Sequence, residues 1–161
     1  MAVKKCATHL YSVESFLYNL VNSTLRNNDL SKLDTLGPFC YLLSRYLPFK
    51  CPSGYFDYTV FRGTSLSKEM IEEYRAAIGR RILWPAFTST TKDRQVAELF
   101  SDNALFIIEV NGIHSQGARD ISSISKYPQE QEVLFCAGQS FILSKIECDS
   151  KNEKYLIYMS A

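Results

Sequence analysis

The sequence lacks any apolar run long enough to cross a membrane. No segment approaches the ~20 consecutive apolar residues that a spanning helix needs, and no apolar stretch follows Lys4 and Lys5 in the manner of a secretory signal peptide. An excess of one charge sign is also lacking, since the formal net charge is +1 at pH 7. This balance provides no bulk attraction to nucleic acid. We therefore expect neither a membrane span nor a nucleic-acid partner.

The cysteines are few and scattered. The five of them contain no C-x-x-C pair, and the two histidines, His9 and His114, add no metal-binding pattern. We therefore expect no metal site. An odd number of dispersed cysteines favours free thiols in a reducing compartment. Together with the absence of a visible signal peptide, this favours a cytoplasmic over a secreted location.

The pattern of apolar residues changes from helical to strand-like along the chain. Helical spacing predicts helices over residues 12–26, from 31 or 35 to 46, over 67–77 and over 92–100. Short β-branched and aromatic runs predict strands over residues 55–62, 82–84, 86–90, 105–110, 132–135, 140–147 and 155–159. The stretch 111–129 has no clear periodicity and is predicted to be a functional or mobile loop.

Helices followed by strands indicate an α+β fold rather than repeated βαβ units. A length of 161 residues is that of one domain. We expect a single domain over residues 1–161, with a helical lobe over about 1–54 and a β-rich core over about 55–161. A monomer is the favoured state.

Two glutamates, one residue apart, precede an apolar run that is predicted to be a buried strand. Side chains alternate along a strand, so Glu130 and Glu132 are expected to project from one face, with Cα atoms roughly 6.5–7 Å apart. Carboxylates that close repel each other unless a cation or a developing positive charge lies between them. An isolated E-x-E is more often a solvated strand entrance, so its interpretation depends on the motifs that accompany it.

Two other polar motifs end strand-like runs upstream. In the sequence 58–64, Arg62 precedes the glycine of a predicted turn, and the sequence 85–91 ends in the hydroxyl cluster Thr88-Ser89-Thr90-Thr91. Arginine, a Ser-Thr cluster and E-x-E, in that order and on separate strands, resemble the R-S-E class of mono-ADP-ribosyltransferases. The resemblance covers about residues 59–141 and is closest to the eukaryotic arginine-specific branch.

The resemblance implies a fold, a co-substrate and an acceptor. It implies the ADP-ribosyltransferase fold, with an N-terminal helical lobe, two packed and mainly antiparallel β-sheets, and an NAD cleft between the sheets. It also implies NAD⁺ as co-substrate without a metal, and a protein with an exposed arginine as acceptor. Secreted relatives leave a Cys6–Cys148 disulfide open as an alternative to free thiols.

The chemistry that the resemblance implies breaks the bond between nicotinamide and its ribose. Nicotinamide leaves a cationic ring as a neutral molecule, so no general acid is needed, but the positive charge on the ribose needs an ionised carboxylate nearby. The resemblance assigns this role to Glu132. It assigns Glu130 to the acceptor, because a guanidinium is protonated in water and needs a carboxylate to orient it and withdraw a proton.

The resemblance also implies how NAD⁺ is bound. Arg62 suits a bidentate grip on a phosphate or on the nicotinamide ribose, and Gly63 would let the backbone approach the carboxamide. Ser89 would hold Glu132 in its productive rotamer. Thr91 replaces the serine usual at its place but keeps a hydroxyl. The expected NAD-binding residues are Arg62, Gly63, Thr64, Ser89, Thr90 and Glu132.

Several other residues have weaker assignments. Tyr127 is expected either to contact the target protein, as the resemblance implies, or to be an ordinary exposed aromatic residue. Arg94 and Arg119 could reach the pyrophosphate but are more typical of solvated charges. We expect Trp84 in the core, and His114 to be structural or exposed.

Three alternative functions compete with transfer to arginine. The same residues would serve an NAD⁺ glycohydrolase, in which water replaces arginine. A non-catalytic NAD-binding or protein-interaction module is disfavoured, because a degenerate site would tolerate the loss of Arg62, Ser89, Glu130 and Glu132. A glycosidase is excluded by geometry, because its two carboxylates usually face each other from separate strands across the scissile bond.

Overall fold

The computed structural model describes residues 2–13, 16–46, 58–111, 117–149 and 153–161, and in it three α-helices precede the first strand and two shorter ones lie among the strands. The α+β class is thereby confirmed. None of the described helices is long and apolar enough to cross a bilayer. The helices are α1 (Ala2–Ser12), α2 (Phe16–Arg26), α3 (Leu33–Tyr46), α4 (Lys68–Ala76) and α5 (Arg94–Leu99). The strands are β1 (Tyr58–Thr64), β2 (Arg81–Trp84), β3 (Thr88–Thr91), β4 (Ala104–Val110), β5 (Ala118–Asp120), β6 (Glu132–Phe135), β7 (Gln139–Asp149) and β8 (Lys154–Ser160).

The strands of the described residues form one hydrogen-bonded sheet in the order β2-β7-β8-β4-β1-β3-β6-β5. Neighbouring strands are antiparallel except β4 and β8, which are parallel. The family resemblance implies two packed sheets. In the structure, the strands β2-β7-β8-β4-β1 and the strands β3-β6-β5 belong to one sheet, because β1 pairs with β3. This pairing consists of a single register pair, Phe61 opposite Thr91. This short junction carries the candidate site described below.

The first helix, α1, is one that the sequence analysis missed. Ser12, expected to begin a helix, instead ends α1, where its hydroxyl donates to a carbonyl one turn back (2.9 Å). Ala7 and Tyr11 are buried one turn apart, but the polar Thr8 is buried beside them and obscures the apolar stripe. Farther on, α3 begins at Leu33, between the two starts that the sequence allowed.

The predicted strands lie in the right places but differ in extent. β1 continues past Arg62 to Thr64, so Gly63 lies within a strand rather than in a turn. β5 lies inside the stretch predicted to be a loop, and with three residues it is too short to show a period. Residues 55–57 of the predicted first strand and residue His114 lie outside the described residues.

Two apolar clusters form the core. The first lies among β1, β4, β6, β7, β8 and α4, and Trp84 packs against it through Phe106 and Phe141, with ring centroids 5.1 and 4.5 Å away. The second, here called the lobe cluster, joins the helices to the segments that carry the Ser-Thr and glutamate motifs. Its buried members are Tyr11, Val21, Leu36, Leu43, Phe87, Ile121 and Leu134.

The cysteines that the structure describes are free thiols. Cys6 and Cys148 are both exposed and unbridged, so the alternative disulfide is not formed. Burial raises the pKa of the Cys40 and Cys136 thiols. A raised pKa lowers the thiolate fraction, so neither is poised as a nucleophile. Cys51 lies outside the described residues.

Gly63 has no room for a side chain. A β-carbon at this position would overlap the backbone of Ala97 and Ser101, at the end of α5. The absence of a side chain therefore allows α5 to pack directly on β1. This close packing accounts for the glycine before any ligand is considered.

We expect Gly63→Ala to destabilise the protein by about 1–3 kcal/mol, the range typical of overpacking in a filled interior. The atoms that the new β-carbon would overlap belong to the backbone, so α5 itself would have to move. Gly37→Ala is the matched control, because its β-carbon would make only an ordinary 3.5 Å contact with Leu33 inside α3. Thermal melting should separate the two variants, and equal melting temperatures would contradict the packing role of Gly63.

Candidate active site

The three polar motifs converge where β1, β3 and β6 lie side by side. Arg62 lies on β1, Ser89 on β3, and Glu132 at the first position of β6. Thr91 of β3 lies opposite Phe61 of β1 and also opposite Glu132 of β6. Strand pairing therefore brings together side chains that are far apart in the sequence.

These side chains line one cleft. It contains about 630 Å³ of space between atoms, a figure that includes space open to solvent. Among the described residues, no group of His, Cys, Asp and Glu is placed to hold a metal ion. The predicted site residues that line the cleft are Arg62, Gly63, Ser89, Thr90, Glu130 and Glu132.

Glu132 is a buried carboxylate with a hydroxyl donor on each oxygen. Only 6% of the residue is exposed. The Ser89 hydroxyl donates to Oε1 at 2.5 Å, and the Ser125 hydroxyl donates to Oε2 at 3.0 Å. Donors to the ionised form favour the charged carboxylate and oppose the effect of burial. The arrangement therefore holds a negative charge in one orientation inside the cleft.

Arg62 connects β1 to β3. Its Nη1 donates to the carbonyl of Ser89 at 2.8 Å, and the side chain is half-buried. A guanidinium has five N–H donors in a planar fork, so a bond to the backbone leaves donors for an oxyanion in the cleft. Arg62 thus supports the strand that carries Ser89 and supplies positive charge to the site.

Thr90 and Thr91 fasten β3 to β6 and to the turn before it. The Thr90 hydroxyl donates to the carbonyl of Val133 at 2.7 Å. The Thr91 hydroxyl donates to the carbonyl of Glu130 at 2.6 Å and accepts from the N–H of Asp93 at 2.9 Å. Asp93 is the N-cap of α5. Thr91 therefore fixes the backbone at Glu130 through its hydroxyl, the group that threonine and serine have in common.

The strand geometry expected for Glu130 is wrong. Pro128–Glu130 form a short 3-10 helix and Gln131 is left-handed (φ 48°), so β6 begins only at Glu132. Proline at the first helical position favours this turn. Glu130 and Glu132 consequently do not share a strand face. Both still line the cleft, Glu132 buried and Glu130 half-buried.

Other residues considered from the sequence lie outside the cleft lining. Thr64 is the last residue of β1, and Tyr127 is exposed at the start of the 3-10 helix. Arg94 forms a surface ion pair within α5, and Arg119 donates to the carbonyl of the preceding residue. The binding roles of Thr64 and Tyr127 stay predictions.

The cleft also contains residues that the sequence analysis did not assign to NAD⁺ or acceptor binding. The helix predicted over residues 92–100 ends at Leu99, and Phe100 is 58% exposed on the cleft wall. An exposed aromatic face there is suited to stack on a planar ring. The unassigned lining residues are Tyr18, Phe61, Thr91, Val96, Ala97 and Phe100.

Tyr11 connects the helical lobe to the segment that enters β3. Its hydroxyl accepts from Asn22 Nδ2 at 2.8 Å and donates to the carbonyl of Phe87 at 3.3 Å. Burial raises the pKa of Tyr11 far above its ordinary value, and the nearby charge of Glu132 adds to the rise. The phenol therefore stays neutral and serves as a fixed donor.

The sequence matches the NAD:arginine ADP-ribosyltransferase family over residues 2–160. The chain therefore belongs to this family. It is 38% identical over 106 residues to Mav of Mycobacterium avium (strain 104) and 32% identical over 108 residues to Vis of Vibrio splendidus (strain 12B01), both named as NAD(+)–arginine ADP-ribosyltransferases. The matches cover 65% and 61% of this chain, but only 12% of Mav and 41% of Vis.

The fold agrees with this family. The crystal structure of Vis in complex with agmatine superposes with a TM-score of 0.76 at 25% sequence identity, covering 99% of this chain and 74% of that one. The predicted ADP-ribosyltransferase fold is therefore confirmed. Mav and Vis are bacterial proteins, whereas the sequence motifs led us to expect the strongest likeness to the eukaryotic branch.

Proposed function

We propose that this chain transfers ADP-ribose from NAD⁺ to arginine side chains of target proteins and releases nicotinamide. The observation that carries the proposal is the buried carboxylate of Glu132, held by Ser89 and Ser125 in a cleft that also contains Arg62 and Glu130. Membership of the NAD:arginine ADP-ribosyltransferase family supports the same co-substrate and acceptor. The chain spans only part of the length of Mav and Vis.

Glu132 would act on the ribose. As nicotinamide departs, positive charge develops at the ribose carbon it leaves, and a fixed carboxylate in a site with little water stabilises that charge strongly. The two serine hydroxyls hold the carboxylate before the reaction begins, so little reorganisation is needed in the transition state. Nicotinamide is neutral on leaving, so the reaction needs no proton donor at that end.

Arg62 and Phe100 would bind NAD⁺. The donors of Arg62 that face the cleft suit the pyrophosphate or the nicotinamide ribose. Phe100 offers an aromatic face for a heteroaromatic ring of NAD⁺, and stacking would cover a side chain that is otherwise exposed. Gly63 also lines the cleft, but the close packing of α5 on β1 already accounts for the glycine.

Glu130 would act on the acceptor. Its side chain lines the cleft from a turn whose first residue, Tyr127, is exposed. A carboxylate there can orient a guanidinium and withdraw a proton as it attacks. Vis has been crystallised with agmatine, a compound with the guanidinium group of arginine. A protein with an exposed arginine is therefore the proposed acceptor.

We expect Arg62→Lys to weaken NAD⁺ binding by about tenfold or more, the size of one lost hydrogen bond to a charged group. Lysine keeps the charge but cannot bond to the Ser89 carbonyl and an oxyanion with one planar fork. Arg94→Lys is the matched control, because Arg94 lies on the surface of α5. Titration calorimetry that gives Arg62→Lys the wild-type affinity would leave Arg62 with a structural role alone.

The function is tested by incubating the protein with labelled NAD⁺ and a mixed protein lysate, followed by mass spectrometry of the modified residues. We expect ADP-ribose on arginine side chains and equivalent release of nicotinamide. Nicotinamide release without protein modification would instead show an NAD⁺ glycohydrolase. Absence of both reactions, with NAD⁺ binding retained, would indicate a binding module.

A further inference from the structure

Ser125 has a hydroxyl that makes two hydrogen bonds at once. It donates to Oε2 of Glu132 at 3.0 Å and accepts from the N–H of Tyr127 at 3.2 Å. A serine hydroxyl has one proton and two acceptor lone pairs, so the two bonds do not compete. Only 7% of the residue is exposed, so bulk water has little access to either bond.

The backbone holds Ser125 in place independently of this hydroxyl. Its N–H donates to the carbonyl of Ile121 at 2.8 Å, and the N–H of Ile121 donates to the carbonyl of Glu132 at 3.0 Å. The next residue is also held, because the N–H of Lys126 donates to the hydroxyl of Ser12 at 2.8 Å. Removal of the Ser125 hydroxyl should therefore leave the path of the chain intact.

We propose that Ser125 is a positioning residue for the transfer reaction, one that couples the orientation of Glu132 to the turn presenting Tyr127 and Glu130. This inference rests on the proposed function. Ser89 fixes one carboxylate oxygen, but the last torsion of a glutamate is broad and one donor restrains it weakly. A second donor on the other oxygen removes this freedom, and the same hydroxyl anchors the turn that faces the acceptor.

Loss of the Ser125 donor has two opposed effects on Glu132. A carboxylate with one donor fewer has a less dispersed charge, which favours attraction to the ribosyl cation. The loss of one donor to a buried carboxylate also favours its protonated, uncharged form and gives the group more freedom to rotate. The second effect should dominate, because a residue only 6% exposed cannot recover the missing bond from solvent.

The test measures nicotinamide release and transfer to agmatine for the wild type, Ser125→Ala and Ser125→Thr. We expect Ser125→Ala to lower kcat about tenfold to a hundredfold, the size of a hydrogen bond to a charged group. The KM for NAD⁺ should stay within about twofold, as when an interaction acts mainly in the transition state. Ser125→Thr keeps the hydroxyl and should recover most of the rate.

Ser122→Ala is the matched control, because Ser122 lies in the same loop and its hydroxyl bonds to Asp120 at 2.7 Å instead. It should keep the wild-type kcat. Melting curves check folding, and Ser125→Cys, nearly isosteric with a weak donor, replaces the alanine variant if that one does not fold.

A wild-type kcat in Ser125→Ala overturns the inference, and so does an equal loss in Ser122→Ala. A wild-type protein that neither cleaves NAD⁺ nor modifies an acceptor overturns the proposed function, and this inference with it. The two failures are thus distinguishable.

Discussion

Glu132→Gln is expected to remove nearly all NAD⁺ cleavage and transfer while leaving the fold and most NAD⁺ affinity intact. Glutamine has the same shape, and its amide can still bond to the hydroxyls of Ser89 and Ser125, because a hydroxyl both donates and accepts. The variant loses only the negative charge, which matters most where positive charge develops in the transition state. Loss of one well-placed electrostatic stabiliser typically lowers the rate on the order of 10²–10³-fold.

Three measurements on one preparation test this prediction: nicotinamide release, NAD⁺ titration calorimetry and thermal melting. Glu72→Gln is the matched control, because Glu72 is exposed on α4 and pairs only loosely with Arg75 at 3.4 Å. It should behave as wild type in all three. Unchanged turnover in Glu132→Gln would mean that the catalytic carboxylate lies elsewhere.

The main residues of the candidate site could be predicted because each lies at or near the end of its own strand. Their order along the chain was enough for the family resemblance, and the pairing of β3 with both β1 and β6 is what brings them together. Their roles came from resemblance to a family, whereas their contacts came from the structure. The hydrogen bond from Arg62 to the backbone of Ser89 had no counterpart in the sequence pattern.

Glu130 shows where a local pattern misleads. The expected strand alternation reaches back from Glu132 to Glu130, but the left-handed Gln131 lies between them and Glu130 ends a 3-10 helix that begins at Pro128. Proline after Tyr127 was the available sequence indication of a turn. The strand predicted over residues 132–135 is confirmed as β6. The alternation of side chains therefore begins at Glu132 and does not include Glu130.

Long-range support for the site could not be predicted from the sequence. Ser12 bonds to Lys126 across 114 positions, and Tyr11 reaches Phe87 across 76. Such contacts depend on how the helical lobe packs on the sheet, which the period of a single element does not specify. Ser125 was missed for the same reason, since a serine in a Ser-rich loop has no local feature that distinguishes it.

The second large effect is expected for Glu130→Gln, which should abolish transfer to arginine yet leave measurable NAD⁺ hydrolysis. Glu130 lies on the turn rather than on β6, half-buried in the cleft, with its backbone held by Thr91. Glu130 thus lies on a different element from Glu132, the carboxylate proposed to stabilise the ribosyl cation. Loss of a general base typically lowers a rate by about 10²–10⁴-fold, and this loss should fall on transfer alone.

Water and arginine differ in what they require from Glu130. Water is small and abundant, and it enters an open cleft without a partner to orient it, whereas a guanidinium arrives protonated and must lose a proton as it attacks. Nicotinamide release and labelling of an arginine acceptor should therefore be measured on the same sample, with the exposed Glu109→Gln on β4 as control. A fall of both reactions by the same factor would show that the two carboxylates act as a unit, and that Glu130 has no role specific to the acceptor.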